Sequence, residues 1–201
     1  MAKTAQRGTG PRGDHNREEF LALVTKAAEG LVRLEGLRGL GMRRLAAVIG
    51  YAPNSIYNAV GDLDTVMMRL NARTLERLHD ALAVAIAADA SPLDNAIALA
   101  DAYLAFVGAD PQVWSLLFEH AQAPDAPIPD WYRQALARAT DLVDQVLAPM
   151  IADADERRQA VATLWAGLHG LASLSTSRKL AVLTPEPPGD LGRLLVRRFL
   201  G

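Results

Sequence analysis

Apolar residues recur along this chain at three- and four-residue spacings. No stretch alternates apolar and polar positions as a half-buried strand would. A first helix is predicted to start near Asn16, whose side chain can cap it with Glu19 replying three residues on. Phe20, Val24, Ala27, Ala28, Leu31 and Leu34 then share one face, and Gly36 and Gly39 mark the exit. Two much shorter periodicities follow in LGMRRLAAVIGYAPNSIYNAVGDLD, residues 40–64. Met42, Leu45, Ala46 and Ile49 fall at i, i+3, i+4 and i+7, and Gly50 stands where a left-handed cap is wanted. Pro53 opens the next helix where its missing N–H costs nothing. Ile56 and Val60 face inward there, Gly61 ends the helix, and Asp62 caps the one after.

A long connecting helix is predicted over 63–87, with Leu63, Val66, Met67, Leu70, Leu78 and Leu82 on one side. Ser91-Pro92 and Asp110-Pro111 each supply a cap followed by a first-turn proline. APDAPIPD (123–130) and LTPEPPGD (183–190) are Pro-rich loops. Helices are therefore expected near 93–107, 111–121, 130–148 and 154–177. A last short one carries Leu191, Leu194, Leu195 and Phe199. The alanine- and leucine-rich composition agrees with an all-α chain.

The two short helices form a helix-turn-helix, and the second leaves Asn54, Ser55, Tyr57 and Asn58 facing out. Asparagine can bond adenine at N6 and N7, serine can serve bases or phosphates, and a tyrosine hydroxyl can reach a phosphate. Arg43 and Arg44 stand close by to neutralise phosphates. An ordinary helical hairpin with a solvated polar face fits the spacing equally well.

Charge supports the first reading weakly. Residues 1–80 carry 12 Lys/Arg against 9 Asp/Glu, and residues 81–201 carry 9 against 14. The basic part includes an arm over 1–13, expected to be flexible, that lacks the apolar stretch of a secretory signal. With no cysteine, disulfides, thiolate metal sites and cysteine nucleophiles are excluded. No apolar run is long enough to span a membrane, and a cytoplasmic location is expected.

In LGMRRLAAVIGYAPNSIYNAVGDLDTVMMRL, an apolar residue and a Met-Arg pair precede Leu-Ala, an apolar-Gly turn and a helix with a tyrosine near its end. In this order they resemble the N-terminal domain of the TetR family of bacterial transcriptional repressors, over about residues 14–75. The resemblance implies a three-helix DNA-binding domain over 14–62, with the helix Pro53–Val60 in the major groove. It implies DNA contacts from Gly41, Met42, Arg43, Arg44, Pro53, Asn54, Ser55, Tyr57 and Asn58. Where the family often has Ser or Thr, Ser, and Lys, this chain has Gly41, Ala52 and Leu63. More of the electrostatic work then falls on Tyr57, Arg43, Arg44 and the arm. LWAGLHGLASL (164–174) resembles the Trp-His-Gly (WHG) segment of one subgroup of TetR C-terminal ligand-binding domains. Residues 63–201 are thus expected to form a helical ligand-binding and dimerisation domain.

Within that domain, Tyr103, Trp114, Phe118, Trp165 and His169 are the candidates to line an apolar pocket, though core packing explains each of them as well. Ala166, Gly167, Gly170 and Ser173 form a small-residue stripe that suits close approach of another helix. With Leu194 and Leu195 they are the candidate dimer interface; packing within one subunit is the alternative. The four histidines, at 15, 79, 120 and 169, form no i, i+4 pair, so neither a metal site nor a cofactor is expected. No phosphate loop or nucleophile elbow appears, and no enzyme activity is expected. The expected function is a ligand-responsive repressor that binds a palindromic operator in double-stranded DNA as a homodimer. Its effector is expected to be largely apolar. The alternative is a helical small-molecule-binding or scaffold protein that has lost specific DNA recognition.

Overall fold

The computed structural model describes residues 17–119 and 127–201; the expected arm over 1–13, His15, the Asn16 cap and His120 lie outside them. Every regular element among the described residues is helical. The helices are α1 (Arg17–Glu35), α2 (Met42–Ile49), α3 (Pro53–Val60), α4 (Leu63–Ala85) and α5 (Pro92–Ala109). They continue as α6 (Pro111–Glu119), α7 (Asp130–Leu147), α8 (Ala154–Thr176), α9 (Leu180–Leu183) and α10 (Pro188–Leu200). A 3-10 turn at Leu37–Gly39 links α1 to α2. The chain divides into two compact units between Leu70 and Asn71, within α4.

In the first unit, α1, α2, α3 and the start of α4 enclose a core of Val24, Ala28, Val32, Leu45, Ile56, Val66 and Leu70. The edge of Phe20 meets the Tyr51 ring, with centroids 4.9 Å apart, which closes the turn over α1. The expected burial of Leu34 does not hold: it is 81% exposed, and Val32 is buried instead. Phe20, Val24, Ala28, Leu31 and Val32 define a stripe drifting round the helix. Leu34 falls about a quarter-turn from its centre, near the helix end. Gly50 has φ 75° and ψ 26°, the left-handed cap that turns the chain between α2 and α3.

Capping explains most of the breaks. Asp62 accepts from the Thr65 N–H at 2.8 Å and from its hydroxyl at 2.7 Å, fixing the start of α4. Those bonds hold the Asp62 carboxyl below its ordinary range. The Ser91 hydroxyl accepts from the Asp94 N–H at 3.1 Å above Pro92. Asp153, absent from the sequence expectations, caps α8 by accepting from Asp155 and Glu156 at 3.0 and 2.8 Å. The short α9 was not expected from the sequence either; it holds the connection between α8 and α10 by burying Leu180.

In the second unit, α5, α8 and α10 pack side by side with the remainder of α4 and α7 around Leu78, Leu99, Tyr103, Leu147, Leu164 and Val196. Two glycines set the closeness of α10. A Cβ on Gly192 would lie 2.7 Å from Leu104 Cδ1, and one on Gly167 would lie 2.7 Å from Leu195 Cδ2.

Candidate functional site

Two places carry candidate chemistry, one in each unit. In the first, Ile56 and Val60 pin α3 from beneath, while Pro53, Asn54, Ser55, Tyr57 and Asn58 are exposed. The helix therefore presents a continuous polar face with two carboxamides, two hydroxyls and no charge. Neither Gly41 before α2 nor Ala52 before α3 provides a side-chain cap. Arg43 and Arg44 are exposed on α2, but Arg44 is ion-paired with Glu35 of α1. Among the described residues Arg43 has no ion-pair partner, so it is the more available cation. Met42 is buried, and its side chain faces the core of the unit rather than solvent.

The second place divides the five expected pocket residues between two neighbouring sites. A cavity of about 250 Å³ lies among α4, α5, α7, α8 and α10, and of the five only Tyr103 and Trp165 line it. Trp114, Phe118 and His169 line a smaller recess of about 140 Å³ beside α6. The walls of the larger cavity include Leu136, Ala137, Ala139, Thr140 and Val143 from α7, a helix that carries none of the five expected residues. Short side chains there leave the space that the aromatic residues elsewhere fill.

Tyr103 separates the two. Its hydroxyl lies 3.2 Å from His169 Nδ1, and the Trp114 indole N–H reaches the same nitrogen at 3.5 Å. An indole can only donate, so Nδ1 must accept and the imidazole proton belongs on Nε2. Tyr103 then donates as well. Phe118 stacks on the imidazole with centroids 3.7 Å apart. Burial holds the His169 pKa below its ordinary 6.5, and burial raises that of Tyr103, so both groups are neutral at pH 7.

A lowered histidine pKa means the unfolded chain binds the proton more readily. The resulting stability is fully present above about pH 6.5 and is lost as the pH falls through the folded value. Melting temperatures measured between about pH 7.5 and 5 should fall toward acid, with a shallower dependence in His169→Gln. An identical slope in both proteins would place the titration elsewhere.

The proposed dimer residues are also placed. Ala166 and Ser173 are exposed on α8, and Leu194 is 51% exposed on α10. Gly167 meets Leu195 of the same chain, so its small size is used within the subunit. Around Gly170 there is open space: a Cβ there would meet nothing within 4 Å.

A helix-turn-helix unit joined to a helical unit that holds an apolar cavity defines a class of helical, DNA-binding regulators. Residues 96–199 match the family described as tetracyclin repressor-like, C-terminal domain, and the chain belongs to this TetR family of transcriptional regulators. The fold is shared with a protein of unknown function from Rhodococcus sp. RHA1, at 22% identity and TM-score 0.74 over 94% of this chain and 96% of that one. A TetR regulator from Streptomyces coelicolor matches at 16% identity and TM-score 0.66, over 89% and 94% of the two chains. FadR from Bacillus subtilis, in complex with stearoyl-CoA, matches at 10% identity and TM-score 0.69, over 90% and 97%. No curated protein matches the chain in sequence. Among the described residues no cluster of metal-ligating side chains occurs, and no helix is long and apolar enough to cross a membrane.

Proposed function

We propose that the protein is a homodimeric repressor that binds a palindromic operator and releases it when a small apolar effector occupies the second unit. The observation that carries this reading is α3 itself, with its polar residues all exposed over a buried Ile56 and Val60. In a helix-turn-helix dimer, two such helices occupy major grooves one helical turn apart, about 34–36 Å. Asn54 is the base reader and Tyr57 a phosphate contact, with Arg43 supplying charge. α4 begins in the DNA-reading unit and ends in the cavity unit, so it is the element through which occupancy would act. Binding must favour the DNA-incompetent state, because an effector with equal affinity for both shifts nothing. A coupling of about 1–3 kcal/mol would weaken DNA binding some 5- to 150-fold.

The test is selection of genomic fragments by purified protein, followed by titration of the selected site. Asn54→Ala is expected to cost about 1–3 kcal/mol and to relax preference at one base pair per half-site. Tyr57→Phe should weaken binding to all sequences alike. Affinity should fall as salt rises, because phosphate contacts release counterions. Absence of any sequence preference would instead favour the helical ligand-binding protein without operator recognition.

A further inference from the structure

The cavity among α4, α5, α7, α8 and α10 has a wall chemistry narrow enough to select a class of occupant. None of its lining side chains is charged, and only Tyr103, Thr140 and Trp165 carry a polar atom. All three are already engaged. Tyr103 donates its proton to His169 Nδ1 at 3.2 Å, and Thr140 donates to the Ala137 carbonyl at 2.9 Å. The Trp165 and Trp114 indole N–H groups are both directed at the Tyr103 hydroxyl oxygen. These side chains thus have no donor left to give. With the Tyr103 oxygen taken by the two indoles, what remains are the lone pairs of the Thr140 hydroxyl, which accept.

That asymmetry discriminates among ligands. A carboxylate, phosphate or carbonyl oxygen entering the cavity would lose its water and meet no side-chain donor. An ammonium group would meet no counter-charge. A hydroxyl or N–H, by contrast, can be satisfied by Thr140. The exposed lining residues Ala137 and Trp165 place the opening between α7 and α8. Beside it, a groove sharing Thr140 and Val161 contains Asp141, Asp144, Arg157 and Arg158. Arg157 is committed to Asp144 at 2.8 Å and to the Ile151 carbonyl at 2.9 Å, and Arg158 is paired with Asp155. An anionic tail at the mouth would have to displace aspartates to gain a guanidinium.

Size narrows the class further. An apolar cavity of about 150 Å³ stays dry and holds benzene, and this one is about 250 Å³. We propose that the effector is an uncharged, hydrocarbon-rich molecule about the size of two fused six-membered rings, whose sole polar group is a hydroxyl or N–H donor. This inference rests on the cavity being the effector site of the function proposed above. It runs against an acyl-CoA, the ligand in the structurally similar FadR complex.

Three probes of one skeleton separate the possibilities: naphthalene, 2-naphthol and 2-naphthoate, each titrated against the full chain by thermal shift and tryptophan quenching. The expected order is 2-naphthol tightest, naphthalene next, and 2-naphthoate about tenfold or more weaker than 2-naphthol. Thr140→Val should weaken 2-naphthol roughly two- to tenfold while leaving naphthalene unchanged. Ala100→Leu, which adds bulk to the cavity wall, should weaken both neutral probes. Preference for 2-naphthoate or for an acyl-CoA over 2-naphthol would overturn the inference, as would failure of every probe to bind. DNA affinity is measured in parallel with and without 2-naphthol. Tight neutral binding that leaves DNA affinity unchanged would uphold the ligand class and defeat the regulatory reading instead.

Discussion

Leu45→Ala should sharply weaken DNA binding without altering an exposed residue of α3. Leu45 is fully buried in the first unit, where α2 packs on α1 and α3, and Ile56 of α3 is fully buried in the same core. Removing a buried leucine side chain costs about 2–5 kcal/mol. A unit of this size has only about 3–8 kcal/mol to lose at ~0.05–0.15 kcal/mol per residue. α3 would then lack a fixed seat. The expected result is an early unfolding step in the thermal melt and a DNA affinity reduced more than about a hundredfold, which is roughly 3 kcal/mol. Asn54→Ala is the control, since an exposed polar change should leave the melt unaltered. Full DNA affinity in Leu45→Ala with an unchanged melt would show that α2 does not hold α3 in place.

Gly170→Trp should yield a monomer. The two glycines of the small stripe on α8 differ: a Cβ at Gly167 would collide with Leu195 of its own chain, whereas one at Gly170 meets nothing within 4 Å. A side chain started at 170 is therefore expected to spare the subunit and to obstruct a partner approaching Ala166 and Ser173. Losing the dimer removes the linkage between two half-sites, which is worth some 10²–10⁴ in apparent affinity. Light scattering should report one chain, and DNA titration should show the corresponding loss. Gly167→Trp should instead lower the melting temperature by forcing α10 away from α8. If Gly170→Trp remains a dimer in solution, the interface lies on another surface.

Helix order was legible in the sequence because the breaks are chemical: Gly50, Pro53, Asp62 and Ser91 each act on the backbone locally, and each does what its side chain dictates. The outward face of α3 was legible too, since Ile56 and Val60 leave only one way to orient an eight-residue helix. The cavity was less so. Aromatic residues mark where volume is filled, and Trp114, Phe118 and His169 accordingly pack on one another beside α6. Space is left by what is small, and Ala137, Ala139 and Thr140 of α7 carry no signal along the chain that distinguishes them from surface residues. The role of Gly167 was hidden for a related reason: spacing shows that a close approach occurs, and only the fold shows that Leu195 of the same chain makes it.

Gly192 lets α10 lie against Leu104 of α5 and turn Val196 into the cavity wall, with Leu194 and Phe199 left outside. Inner and outer faces of one thirteen-residue helix therefore share a single rotation and a single depth. Across generations, a substitution that tilts α10 to admit a different molecule also re-aims its outer side chains. A change selected on the outside is likewise felt in the cavity. Chemical preference and self-association would then be inherited together, and duplicated copies that diverge in one would tend to stop mixing with each other.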